Sequence, residues 1–580
     1  MDAAQLELQR ELGSWIPLIG LWIAYGGAVV ALLALGRGAL TLDPRTWAIR
    51  ISNSLERLTK IPGWAAAMVG TSTFGLLVAG VGFCSDVRWH VSLGRDDALF
   101  TAPHTAIVLG LMTIFGSAFI GEFFATATKA NVGVRIPVIG IRVPYSALAM
   151  GLIGFCALSG FPMDELWHKA YGIDVTMWSP THLLMIVGAA VSPLASWLAL
   201  GEAGVSPERS RWATGVHIAV GSFALLGLTA VQGEFAFGVP QFQQLYHPLL
   251  YALAAGFALT AVTMVVRRWW APLIVAAVGV VVGAGDQFAE AAQSEPRSAS
   301  LYIAAGIAVA VAGRIFGVER RARYAVASGV AVGTVGLAGE WLWSQGGHQP
   351  WGSPMIVEAI VYATVTGVVA AFLGVAFAAA VRREPVGLSV RTLAVAGLVL
   401  LVALALPLPR RGLDARAKID VERRGDSAHL TVTVTPAEAA ENARWFQTIA
   451  WQGGGFVSSD MVPTGERGVY RTKEPVPVVR DWKTLVRLHK GASMVAAPVW
   501  LPADPEISAS EIAAVDKAVP FRTEQRFLLR EQNDVSGPAW FAIAIYLVLA
   551  AIASAWVFAL VAAGRSITRS VGTPRALAHA

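Results

Sequence analysis

Charge is scarce in this chain: only 14% of its 580 residues are Asp, Glu, Lys or Arg, against 55% hydrophobic. Soluble domains carry nearer a quarter charged residues, so a wholly water-soluble protein is excluded. Cysteine is scarcer still. The two present, Cys84 and Cys156, both sit inside apolar runs and give neither a disulfide framework nor a CxxC metal motif. No glycine-rich phosphate loop, GxSxG elbow or dinucleotide fingerprint occurs in its required setting, which leaves ATP-driven transport and serine hydrolysis without support. The opening stretch MDAAQLELQRELGSW lacks a positive n-region, and a cleaved signal peptide is not expected. The formal charge of +6 would suit nucleic acid, but the basic residues alternate with apolar runs and form no patch. The expected partner is a lipid bilayer.

What the chain has in abundance is apolar runs near the length of about 20 residues that crosses a bilayer. Thirteen are expected, near 14–36, 63–84, 104–126, 143–161, 180–201, 213–232, 247–266, 271–289, 299–317, 323–343, 355–381, 391–408 and 538–563. Only Arg267, Arg268, Trp269 and Trp270 separate the seventh from the eighth, which predicts a tight hairpin. The fold class is therefore an all-α polytopic membrane protein with one further block. Residues 1–408 read as a membrane domain of about twelve helices, and 538–580 as a last spanning helix with a tail. Between them, 409–537 holds alternating segments such as HLTVTVTP, ERGVYRTKEPVPVV, KTLVRLHK and MVAAPVWL, which predict a β-sandwich.

Basic residues are divided unequally between alternate loops. One set, from Arg37 to Arg391, holds nineteen; the other holds four, Arg88, Arg95, Lys169 and Arg297. The rule that basic loops stay in the cytoplasm then predicts a multi-pass protein of the cell membrane. Its N-terminus and β-block lie outside and its C-terminus inside, a parity that thirteen spans also require.

Two stretches on the predicted outer face carry the chemistry. Asp86 to His104 reads DVRWHVSLGRDDALFTAPH, and Asp164 to His182 reads DELWHKAYGIDVTMWSPTH. Each has D-x-x-W-H, then a second His fourteen residues after the first, with Gly94 and Gly172, and Asp96 and Asp174, in register. Asp and His at i and i+4 share a helical face, and the second His opens the next helix. Asp86, His90 and His104, and likewise Asp164, His168 and His182, are thus candidate metal ligands, a set that suits copper, iron, manganese or zinc without choosing among them. The structural alternative is a pair of capped helix ends with Trp89 and Trp167 as interfacial anchors. Further candidates stand at the equivalent outward turns: Glu234 with His247, Asp286 with Glu290, and Glu340 with Glu358, near the loop residue His348. Together these turns suggest a degenerate helical-hairpin repeat, a common frame for sites in membrane folds. The second stretch encloses its site with Met177, Trp178 and Pro180, where the first inserts Arg88, Arg95, Asp96 and Asp97. An apolar rim strengthens metal–carboxylate attraction, so the second site is expected to hold metal at least as tightly.

The string Asp86, His90, Arg95, Asp96, Phe100, Thr101, His104 resembles a copper-binding membrane component of the copper-dependent membrane monooxygenases, the particulate methane and ammonia monooxygenases. The resemblance implies copper held by Asp86, His90 and His104 in the membrane domain. The order GVYRT, EPVPV, DWKTLVRL is similar to the small immunoglobulin-like domains of bacterial copper-handling membrane proteins. Three functions follow as expectations. One is a monooxygenase-like oxidoreductase; another is a copper-handling permease or receptor, against which the eleven scattered methionines count. The third is a non-catalytic scaffold or sensor. Other membrane proteins, or a second copy of the chain, are open as partners.

Overall fold

In lipid every backbone polar group must be satisfied internally, so the long apolar runs fold as helices. The protein is described by a computed structural model covering residues 3–37, 44–94, 99–171, 176–293, 299–385, 390–405, 412–505, 509–524, 527 and 539–572. In chain order the helices are α1 (Ala3–Arg37), α2 (Pro44–Thr59), α3 (Gly63–Ser92), α4 (Ala102–Ala127), α5 (Tyr145–Tyr171), α6 (Pro180–Glu202) and α7 (Arg211–Ala230). They continue with the short α8 (Gly233–Ala236), then α9 (Tyr246–Val266), α10 (Ala271–Gln293), α11 (Ile303–Phe316), α12 (Arg321–Ala331) and α13 (Leu337–Ser344). The last are α14 (Ile356–Val381), α15 (Val390–Ala405) and α16 (Ala539–Gly572).

Among the described residues, ten helical stretches are long and apolar enough to cross a membrane, with α12 and α13 counting as one through a π-helical segment at Val332–Gly336. The other three expected spans are apolar helices of fewer residues, Ala271–Val282, Ile303–Phe316 and Val395–Leu404. The tight hairpin is present: Arg267 takes a left-handed conformation (φ 52°) at the end of α9, and α10 starts at Ala271. One helix escapes a search for spanning runs. In α2, Ala48 and Ser52 are buried while Trp47, Ile51 and Leu58 are exposed, as befits a helix lying along a membrane interface.

Small residues hold the first two hairpins shut. A side chain on Gly110 of α4 would meet the Ala79 backbone nitrogen of α3 at 2.4 Å, and one on Gly188 of α6 would meet Ala157 Cβ of α5 at 2.5 Å. Such close backbone approach is the usual basis of helix packing in lipid. The two hairpins α3–α4 and α5–α6 therefore use the same device.

The block after α15 is strand-rich as expected, but its strands join differently. They are β3 (Arg416–Arg424), β4 (Ser427–Thr435), β5 (Trp445–Trp451), β6 (Phe456–Pro463), β7 (Val469–Thr472), β8 (Val476–Pro477), β9 (Lys483–Lys490), β10 (Ser493–Trp500), β11 (Lys517–Pro520) and β12 (Arg522–Thr523). A small hairpin in the α4–α5 loop supplies β1 (Val134–Ile136) and β2 (Ile141–Val143). In place of two separate sheets there is one ten-stranded, barrel-like sheet, ordered β11-β3-β4-β7-β6-β5-β9-β10-β12 with β8 beside β4. The reason lies in β6, which pairs with β5 through Phe456–Asp460 and with β7 through Met461–Pro463, carrying the sheet round a corner. Ile419, Leu430 and Val432 from one half then share a core with Val486, Leu488 and Val495 from the other.

Strand β4 alternates buried and half-buried residues, whereas every residue of β5 is buried. That difference marks a strand covered on both faces. The second cover is the helical bundle: Ile449, Trp451, Phe456 and Leu485 pack with Val91 of α3 and with Val239. Arg487 donates to the carbonyls of Gly238 and Pro240 at 3.2 and 2.9 Å, and Arg444 pairs with Glu358 at 2.5 Å. The sheet thus sits on the end of the bundle where α3 stops and α4 starts. The opposite end is tied by arginine: Arg267, Arg321 and Arg382 converge on Glu384 at 2.7, 2.5 and 2.9 Å.

Candidate metal centre

Each second histidine is placed by a helix start. Thr101 caps α4 with Pro103 in the first turn, and its side-chain oxygen accepts from the His104 backbone N–H at 3.4 Å. Ser179 caps α6 with Pro180 in the first turn, accepting from His182 N–H at 3.2 Å. Both are standard N-caps, and both put an imidazole on the first turn, facing the last turns of the preceding helix. There stand Asp86 and His90 on α3, and Asp164 and His168 on α5.

The six residues form two groups, each with ligand atoms within 4.8 Å of one another. In the first, Asp86 Oδ1 lies 3.1 Å from His104 Nε2 and 3.8 Å from His90 Nε2. In the second, Asp164 Oδ2 lies 3.2 Å from His182 Nε2 and 3.6 Å from His168 Nε2. Metal–ligand bonds of about 2.1 Å in a tetrahedron separate neighbouring ligand atoms by about 3.4 Å. The four distances bracket that value, and 3.6–3.8 Å is beyond hydrogen-bond range.

Tautomers sharpen the point. His104 Nδ1 is 2.9 Å from the Leu99 carbonyl oxygen, and His182 Nδ1 is 3.1 Å from that of Thr176. A neutral imidazole donating from Nδ1 keeps its lone pair on Nε2. Each Nε2 then directs a lone pair at a carboxylate oxygen, an arrangement that repels unless a cation or a proton lies between. Asp86 Oδ1 is buried beside His104 Nε2.

The second site has a fuller surround. Thr181 donates to Asp164 Oδ1 at 2.5 Å. Thr176 Oγ1 and the Met177 N–H donate to Glu234 Oε2 at 2.9 and 3.0 Å, pinning the loop that holds His182. Trp178 Nε1 donates to the Val231 carbonyl at 2.9 Å, and the Trp178 ring packs on Phe242 and Phe235. Trp178, expected on the rim, packs into this neighbouring aromatic cluster. Trp89 is partly exposed, as an interfacial anchor should be, whereas Trp167 is buried edge-on against Tyr546 of α16.

The sites adjoin. The His104 ring meets Phe161 of α5, one turn before Asp164, at 6.0 Å between centroids. Beneath them, Phe161 also lines a small apolar crevice with Leu21, Trp22, Tyr25, Val108 and Met112.

The remaining candidates are not drawn into either site. Glu234 serves the second site from behind, as described. His247 accepts from Trp351 Nε1 at 3.1 Å and stacks on Phe235. Glu340 accepts from the backbone N–H groups of Leu301 and Tyr302 at 3.1 and 3.3 Å, satisfying the start of α11. Glu358 holds Arg444 of the sheet, and His348 lies against Phe456. Asp96, Asp97 and Asp174 lie outside the described residues, as do the side chains of Asp286 and Glu290 on α10. Thr176, Thr181 and Gln452 touch the sites without having been singled out from the sequence. Thr181 stands inside its motif beside His182; Gln452 is 362 residues from His90 and gives no local signal.

No family model, curated protein or solved structure matches the chain. The donor sets themselves carry what can be said of function.

Proposed function

We propose that this is an integral membrane protein that binds transition-metal ions at two extracytoplasmic Asp/His/His sites, and that the metal is copper. The observation that carries the reading is the pair of imidazole Nε2 atoms aimed at one carboxylate oxygen, found twice with nearly the same distances. Three protein ligands leave at least one coordination position open, the mark of a site that does more than brace a fold. Copper is favoured over iron, zinc or manganese by the likeness of the Asp86, His90, His104 string to the membrane monooxygenases. A bound copper ion would supply redox chemistry. The chain supplies two imidazoles and a carboxylate at fixed spacing, beside the aromatic ring of Phe161.

A monooxygenase-like oxidoreductase is accordingly the leading activity. The second reading is copper handling, favoured by the docking of the sheet directly over the end of α3, where an extramembrane domain can pass metal to His90. The orientation rests on the arginine-rich end of the bundle facing the cytoplasm. Elemental analysis of purified protein, wild type beside His90→Ala/His168→Ala, tests the whole reading. Copper in the wild type and its loss in the double variant support it; a metal content equal in both, or zero in the wild type, overturns it.

A further inference from the structure

An α-helix ends with four carbonyls that its own N–H groups cannot reach. At the end of α3 all four have partners. The Trp89 carbonyl accepts from Leu93 and Gly94 N–H at 2.7 and 3.3 Å, the helix's own closing turn. The other three are taken by the sheet. Gln452 Nε2 donates to the His90 carbonyl at 3.0 Å, Gln452 N–H to that of Val91 at 2.9 Å, and Gly454 N–H to that of Ser92 at 2.9 Å. These donors come from the turn joining β5 to β6, whose strands pair as far as Trp451 and Phe456.

The turn is shaped for this task. Gln452 takes a left-handed conformation (φ 64°), which turns its backbone N–H and its side-chain amide toward the same helix end. Gly453 lies under the Trp482 ring so closely that a Cβ there would sit 2.2 Å from it. Beside the turn, Val91 packs into the apolar cluster of Ile449, Trp451 and Phe456. The last turn of α3, which carries His90, is thus fixed from outside the bundle. The second site's loop is held differently, by Glu234, which also accepts from the Gln241 N–H of the segment that Arg487 contacts, so Gln452 is not among its supports.

We propose that Gln452 is a positioning residue for the first metal site, so that docking of the sheet through the β5–β6 turn sets the placement of His90 and couples the state of the extramembrane domain to that site. This rests on the metal reading above. Outer partners that orient ligands typically change metal affinity by about 10–100-fold when removed.

The test uses the full chain, with Co(II) as the probe because its visible bands report ligand geometry. Two variants are made in a His168→Ala background, which isolates the first site. Gln452→Gly keeps the backbone conformation and N–H but removes the amide; Gln452→Glu keeps the shape but cannot donate. Each is expected to bind Co(II) about 10-fold more weakly at the first site, with shifted bands. In a His90→Ala background the same substitutions should leave the second site's affinity and spectrum unchanged. Wild-type affinity and bands at the first site in both variants would overturn the proposal, as would equal weakening of the two sites. Absence of Co(II) binding in the His168→Ala parent is a different failure, that of the metal reading itself.

Discussion

Thr176 joins Glu234 to His182: its hydroxyl donates to Glu234 Oε2 at 2.9 Å, and its carbonyl faces His182 Nδ1 at 3.1 Å. The carboxylate therefore fixes the loop, the loop fixes the tautomer, and the tautomer leaves Nε2 for Asp164.

Breaking that chain should weaken the second site only. Glu234→Gln replaces one acceptor oxygen by a donor facing two other donors, and Thr176→Val removes the hydroxyl. Either is expected to lower metal affinity at the second site by about 10-fold or more, as loss of an orienting partner does. Titration in a His90→Ala background measures it. Unchanged affinity in both variants would show that the loop is set by Trp178 packing alone.

The pH response separates a metal site from a bare ion pair. Ligation needs neutral imidazole, so bound metal should be released on acidification. A carboxylate–imidazolium pair behaves oppositely and strengthens on acidification. Metal retention after equilibration between about pH 8 and 5 decides the matter. Retention that rises toward pH 5 would contradict ligation by these histidines.

Spacing between helices should matter as much as the ligands. Gly110→Leu forces α4 away from the Ala79 backbone on α3, the segment that places His104 opposite Asp86. Overpacking of this kind costs about 1–3 kcal/mol and moves backbone. Gly188→Leu should do the same to the second hairpin. Each variant is expected to lower the affinity of its own site while sparing the other. Equal loss at both sites would instead mean that the four helices move as one body.

The convergence of six residues was legible because two local rules place them. An i, i+4 pair shares a helical face, and a Thr or Ser cap with proline in the first turn starts a helix two or three residues before each second histidine. The strands of the extramembrane block were legible from alternation, as in β4. Their union into one sheet was not, because the corner in β6 depends on which partner each end of that strand finds. The roles of Glu234, Glu340 and Glu358 were hidden for a related reason. A carboxylate near a helix end has the same sequence signature whether it binds metal, backbone N–H groups or a distant arginine. Here their partners are Thr176, Leu301 and Arg444, between 39 and 86 residues away. Gln452 illustrates the limit, since long-range docking leaves no period or spacing in the chain.

Docking of the sheet should itself depend on pH through His489. This residue is fully buried between the two parts of the protein, accepting from the Gln244 N–H at 3.1 Å and donating from Nδ1 to the Ser493 carbonyl at 2.9 Å. Burial, with Arg444 and Arg487 nearby, pushes its pKa down from the ordinary histidine value to about 3. Between pH 6.5 and 3 the unfolded or undocked chain therefore binds a proton that the native form refuses. Stability rises with pH across that window, is complete above about 6.5, and is lost progressively as pH falls toward 3. At pH 5 the loss from this group is about 2 kcal/mol, at about 1.4 kcal/mol per unit. A protonated ring can no longer accept from Gln244, so the interface itself is what weakens. His489→Gln offers an acceptor and a donor without a titrating ring and should flatten the response. Thermal melting of the intact protein, followed by intrinsic tryptophan fluorescence at pH 7 and about pH 5, measures the difference. An equal drop in Tm for wild type and His489→Gln would place the acid sensitivity elsewhere.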